Sequence, residues 1–116
     1  VAQCRKRLRD DAVIGVSCHS SQEAETAQAL GADYITMSPV FLTESKPGYG
    51  PALGPDRLGE ITRALDLPVL GLGGIDAETV PDIRNSGAAG FAVMGGIMRA
   101  DDPMAAVERL AAAWNG

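Results

Sequence analysis

Apolar residues fall along this chain in short solid runs, separated by longer stretches where they recur every three or four positions. That pattern is buried strands alternating with amphipathic helices. The runs span residues 12–16, 34–37, 68–72 and 90–94, each too short for a helix and bounded by turn residues. Helices are predicted over 3–10 as a basic lead-in, from Ser20 to Leu30, over about 55–65, from Thr79 to Gly87, and from Asp102 to about Trp114. Ser20 and Glu23 stand three apart as a capping box, and Asp102-Pro103 supplies an N-cap followed by an N1 proline. Thr79-Val80-Pro81-Asp82 reads as a third capped start, while Gly31 and Gly87 are stops. The segments Leu30-Gly31-Ala32-Asp33-Tyr34-Ile35 and Ser86-Gly87-Ala88-Ala89-Gly90-Phe91 echo one another at the same place in two βα pairs.

Regular β–α alternation with buried strands predicts a parallel sheet flanked by helices. Four such units make either a small open sheet or half of an eight-unit barrel. A closed barrel takes about 250 residues and at least ~200, so 116 residues cannot close one. The chain opens on Val1 in what reads as mid-helix, which predicts a single partial domain, residues 1–116, of a longer protein.

Composition narrows the function classes. A net charge of −5 argues against a nucleic-acid or polyanion surface. No apolar run reaches the ~18 residues of a membrane span, and no signal peptide opens the chain. Cys4 and Cys18 are too few for a disulfide scaffold and read as free thiols. A cytoplasmic protein is the expectation.

Candidate chemistry gathers where the strands end. Gly73-Gly74 follows the third apolar run and Gly95-Gly96 the fourth. Glycine there lets main-chain N–H groups approach an anion, and loops after the last two strands of a (β/α)8 barrel are a recurrent phosphate site. The long connection 38–54 follows the second run and carries Thr43, Glu44, Ser45 and Lys46, hydroxyls and a mobile cation suited to phosphate or pyrophosphate. A Pro/Gly-ordered surface loop with an incidental lysine is the alternative on spacing alone. Ser17 and His19, the sole histidine, close the first run on the same edge. Other chemistries fail on pattern. There is no Gly-x-Ser-x-Gly elbow, the glycines do not make the dinucleotide fingerprint, and the adjacency of Cys18 and His19 is not a catalytic pair. No carboxylate cluster at the strand ends would hold a metal ion.

Taken in order, these segments resemble the thiamine phosphate synthase/TenI superfamily, specifically the C-terminal half, about four strands, of its TIM (β/α)8 barrel. The resemblance rests on Gly15-Val16-Ser17-Cys18-His19-Ser20, on Gly31-Ala32-Asp33-Tyr34-Ile35 with Pro39-Val40-Phe41-Leu42-Thr43-Glu44-Ser45-Lys46-Pro47, on Leu72-Gly73-Gly74-Ile75, and on Ala92-Val93-Met94-Gly95-Gly96-Ile97. It implies a transferase that joins an aminopyrimidine methyl diphosphate to a thiazole phosphate and releases pyrophosphate. Thr43, Glu44 and Ser45 would then bind the thiazole phosphate, with Gly73, Gly74, Met94, Gly95 and Gly96 cradling its phosphate. Ser17 and Lys46 would contact the pyrimidine diphosphate. Gly95 stands where many members carry serine. Mg2+ is expected for the full-length enzyme, with ligands in the first half of the barrel, outside this chain. Thr43-x-Ser45-Lys46-Pro47 favours the synthase over the TenI-like thiazole tautomerase, in which a histidine in the place of His19 moves protons. A non-catalytic half-barrel that binds a phosphate ester is the third expectation. Uncovered sheet edges predict a homo-oligomer or pairing with the other half-barrel.

Overall fold

The computed structural model describes residues 1–41 and 52–116. Its elements run α1 (Ala2–Arg7), β1 (Gly15–Cys18), α2 (Ser21–Ala29), β2 (Tyr34–Met37), α3 (Gly54–Ala64), β3 (Val69–Leu72), α4 (Val80–Asn85), β4 (Gly90–Ala92), α5 (Gly95–Met98) and α6 (Pro103–Asn115). The four strands form one parallel sheet in the order β1-β2-β3-β4. Crossovers between parallel strands are right-handed, so strands laid down in sequence order carry all their helices on one face. A doubly wound sheet would need the order to reverse. This is the winding of a barrel wall, and it leaves the second face uncovered by helices.

Burial follows that geometry. Cys18, Ile35, Met37 and Val69 are at most 1% exposed, and Leu58, Val80 and Ile83 of α3 and α4 close over them. Each large aliphatic side chain so buried contributes about 1.5–3 kcal/mol, which makes this face the source of stability. Residues one step along each strand face the other way. Register aligns Ser17 with Thr36, Thr36 with Leu70 and Leu70 with Gly90. In that row Ser17 is exposed and the other three are half-buried.

Local chemistry explains most boundaries. The Ser20 hydroxyl accepts from the Glu23 N–H at 3.1 Å and the Asp102 carboxylate accepts from the Ala105 N–H at 3.1 Å, as their caps predict. Gly31 and Gly87 stop α2 and α4 with φ of 93° and 92°. Several boundaries differ from the sequence pattern: α1 ends at Arg7 rather than residue 10 and β3 begins at Val69 rather than Pro68. The first strand begins at Gly15 rather than residue 12, because the Asp33 carboxylate takes the Ile14 N–H at 2.7 Å and Val13 is 74% exposed. The fourth ends at Ala92 rather than Met94. Its partner β3 stops at Leu72, which pairs with Ala92, so nothing remains to pair with Val93. The Thr79 side chain does not cap α4; the Asp76 carboxylate instead orders the turn leading into it, accepting from the N–H groups of Glu78 and Thr79 at 2.9 and 3.0 Å. Finally, Gly95–Met98 is a one-turn helix where a loop was expected.

Arg5 anchors α1 beneath the sheet, donating to the carbonyls of Ala12 and Gly31 and to Asp33 at 2.8–2.9 Å. Hollows flank both outer strands. One of about 520 Å3 lies beside β1, lined by Val16, Ser17 and Thr26. Another, of about 340 Å3, lies beside β4 between Phe91, Val93, Leu110 and Trp114. No helix among the described residues is long and apolar enough to cross a membrane.

Candidate active site at the strand ends

At the C-terminal edge of the sheet, backbone packs directly against Gly73. It leaves β3 with φ 109°, and Gly74 follows with φ 63°, so the chain turns sharply away from the ladder. A Cβ on Gly73 would stand 2.8 Å from the Pro39 Cα. Without one, residues 39–41 lie directly along the end of β3. The Val40 N–H donates to the Leu72 carbonyl at 2.9 Å and the Phe41 N–H to the Gly73 carbonyl at 3.1 Å. On the return side, the Leu53 and Gly54 N–H groups donate to the carbonyls of Pro39 and Val40, both at 2.8 Å. Both roots of the segment 42–51 are therefore clamped at the glycine turn. Thr43, Glu44, Ser45 and Lys46, the loop residues singled out from sequence, lie outside the described residues.

The second glycine pair sits beside the first. Gly95 and Gly96 open α5, whose starting N–H groups have no acceptor within the helix. A Cβ on Gly96 would meet the Val93 side chain at 3.2 Å and the Ile75 carbonyl at 3.8 Å, so the turn after β3 and the start of α5 are in contact. The Arg99 guanidinium lies over Gly95, 2.6–2.8 Å from where a Cβ would stand. Sequence reading missed Arg99, although its i+4 spacing from Gly95 would have been a signal had α5 been recognised.

Ser17 lies within β1, on the open face, rather than in the loop beyond it. His19 is the first residue past the strand. Its N–H donates to a Glu23 carboxylate oxygen at 2.9 Å, and its Nδ1 stands 3.3 Å from the same oxygen. Glu23 thus reaches back past Ser20 to His19 and fixes the imidazole at the start of α2. Cys18 points into the core instead; burial, reinforced by Glu23, pushes its thiol pKa up. Cys18 and His19 face opposite ways and form no nucleophile–base pair. Met94 is exposed and precedes α5. Among the described residues, no three His, Cys, Asp or Glu side chains converge to hold a metal ion.

This arrangement puts paired main-chain turns, a guanidinium and the hydrogen-bonded residues 39–41 and 53–54 on one edge, beside a hydroxyl-bearing open face. Comparison with known proteins places the chain in a family. The family model for thiamine monophosphate synthase (TMP-TENI) matches residues 1–97. A thiamine biosynthesis bifunctional protein ThiM/ThiE of Symbiobacterium thermophilum is 44% identical over 95% of this chain, which spans 23% of that relative. A thiamine-phosphate synthase of Haloarcula marismortui is 42% identical over 95% of this chain and 54% of its own length. Among solved structures, the thiamine phosphate pyrophosphorylase of Pyrococcus furiosus superposes with a TM-score of 0.85 at 29% identity, over 99% of this chain and 55% of that one. A 3-hexulose-6-phosphate synthase, at 23% identity and TM-score 0.68, shares the fold. The chain spans about half the length, or less, of these relatives. From the winding of the sheet, the two glycine turns and these matches together, the chain belongs to the thiamine monophosphate synthase family.

Proposed function

We propose that this chain is the C-terminal half of a thiamine phosphate synthase active site. In the reaction, the C–O bond between the pyrimidine methylene and its diphosphate breaks, pyrophosphate leaves with the electron pair, and the thiazole nitrogen lone pair forms the new C–N bond. Gly73, Gly74 and the main chain of Met94, Gly95 and Gly96 hold the thiazole phosphate. Thr43, Glu44 and Ser45 line it from the loop. Lys46 offsets the charge growing on the departing pyrophosphate, where a fixed cation in a dry site acts more strongly than in water. Ser17 contacts the pyrimidine diphosphate. The observation that supports this reading most is the clamp: both roots of the 42–51 segment are hydrogen-bonded around the turn at Gly73. Lys46 follows Phe41 by five residues, and Phe41 is hydrogen-bonded to Gly73.

The described residues do not make a magnesium site, and no step here runs through one. The Mg2+ expected of the intact enzyme is assigned to residues outside this set. The two outer strands and their flanking hollows are suited to cover by the rest of a barrel or by a second copy of the chain. Free thiols fit a cytoplasmic setting.

The intact protein, mixed with hydroxymethylpyrimidine diphosphate, thiazole phosphate and Mg2+, is expected to release pyrophosphate. Lys46→Ala should lower kcat by about 10²–10³-fold, the usual cost of removing one group that stabilises developing charge. An unchanged rate would count against the role of Lys46, and no release from the wild type would reject the synthase. The contact between His19 and Glu23 favours one second reading, a TenI-like tautomerase using the imidazole for proton transfer. That reading requires turnover of the thiazole carboxylate phosphate without any pyrimidine, abolished in His19→Ala.

A further inference from the structure

The residues assigned above to the thiazole phosphate at the two turns, Gly73, Gly74, Met94, Gly95 and Gly96, bring no charge. A phosphate ester carries about 1.5–2 negative charges at pH 7, so a cation belongs beside it. The helix α5 delivers one. Arg99 is the C-cap of α5, and its N–H donates to the Gly95 carbonyl at 3.0 Å. Helical side chains lean toward the N-terminus of their helix, and this one returns a full turn. Its Nη1, Nη2 and Cζ atoms lie 2.6, 2.7 and 2.8 Å from where a Cβ on Gly95 would stand. The charged head is thus carried back to the start of α5, at the strand-end edge. Arg99 is exposed, so a ligand at that edge can reach it.

Gly95 is what admits the guanidinium. Its φ is not positive, unlike those of Gly73 and Gly74, so the backbone conformation does not call for glycine there. Glycine is also a poor helix former. What its missing side chain leaves open is the space that the Arg99 head fills. A Cβ on the next residue, Gly96, would stand 3.8 Å from the Ile75 carbonyl, so the turn carrying Gly73 and Gly74 abuts the same place.

We propose that Arg99 is a substrate-binding group whose guanidinium, admitted by the glycine at 95, hydrogen-bonds and neutralises the phosphate of the thiazole phosphate. This rests on the synthase reading above. A guanidinium holds five N–H donors in a planar fork that meets phosphate oxygens two at a time. It can therefore keep a neighbour within the protein and still serve a ligand.

Arg99→Gln tests this, because it removes the charge and keeps a long polar side chain. Calorimetric titration of the intact protein with thiazole phosphate should show Kd raised about 10- to 100-fold, the loss of a charge-assisted hydrogen bond. KM for that substrate should rise alike, with KM for hydroxymethylpyrimidine diphosphate, kcat and the thermal midpoint close to wild type. Arg99→Lys should recover part of the affinity, since it restores the charge without the fork. Gly95→Ala has only to move the far end of a flexible side chain, so it should fold as well as wild type. It should nevertheless weaken thiazole phosphate binding, and add less than twofold to the loss when combined with Arg99→Gln. Unchanged thiazole phosphate affinity in Arg99→Gln overturns the proposal, as does an equal loss for both substrates. A full further loss from Gly95→Ala in the Arg99→Gln background overturns the role given to the glycine. A wild type that binds thiazole phosphate but releases no pyrophosphate rejects the synthase reading, while the Kd ratio still decides the contact; a wild type that binds none rejects both.

Discussion

Replacing Gly73 with alanine should both destabilise the protein and weaken phosphate binding, for reasons the structure separates. The residue sits at φ 109°, where a side chain is strained whatever surrounds it, at a cost of about 1–3 kcal/mol. The new Cβ would also stand 2.8 Å from the Pro39 Cα and 3.3 Å from the Val40 nitrogen. Those are backbone atoms that cannot rotate aside, and forcing them apart costs a further ~1–3 kcal/mol. The total of about 2–6 kcal/mol is a large share of the 5–15 kcal/mol that typically holds a domain together. Gly31→Ala is the control, because Gly31 has φ 93° but nothing within 4 Å of its would-be Cβ. It should lose the backbone part alone. Urea unfolding reads the difference: with slopes of about 1–3 kcal/mol per molar, the Gly73 midpoint should fall clearly below the Gly31 midpoint. Equal midpoints would refute the claim that residues 39–41 bear directly on Gly73. Where the variant folds, KM for the thiazole phosphate should rise, because the moved atoms carry the loop root.

Further outcomes follow from single groups. Asp33 accepts from the Ile14 N–H and then from Arg5, and both hold its carboxyl below the ordinary value. The folded state therefore binds that proton more weakly than the unfolded chain. Its contribution is present above about pH 3.9 and is lost as pH falls through the folded pKa. Urea midpoints from pH 7 down to pH 3 should decline less steeply for Asp33→Asn than for wild type, from a lower start; parallel curves would reject the link. Cys18 is fully buried, with its pKa raised by that burial, whereas Cys4 is exposed. A thiol reagent followed by peptide mapping should label Cys4 at once and Cys18 only on unfolding, and early labelling at Cys18 would show that β1 opens locally.

How much of this was legible in sequence depended on who satisfies each backbone group. The run at Tyr34–Met37 was found at its true limits because both of its neighbours pair along its length. The run at 12–16 was not, since a side chain from Asp33, nineteen residues on, takes the Ile14 N–H that a ladder would have used. Apolar periodicity carries no information about such a partner. The fourth strand was read too long for a similar reason. Val93 and Met94 are as apolar as the residues before them, and what ends the ladder is the turn of Gly73 in the neighbouring strand. The one-turn helix α5 defied propensity altogether, with two glycines where each costs about 1 kcal/mol against alanine. Tertiary contact acts there through Gly96 against Ile75, while Arg99 folds back over Gly95 from one turn on.

The glycine pairs stand at the strand ends, where the sequence pattern put them, and the structure adds close contacts that periodicity does not show. Sequence suggested main-chain N–H groups held open to an anion. In the structure Gly73 and Gly95 also admit other parts of the protein: Pro39 lies on one and Arg99 on the other. Each contact brings a different group to the strand ends, the root of the Lys46 loop in the first case and a guanidinium in the second. A methyl group at either position would therefore act first through the protein groups that lie against it.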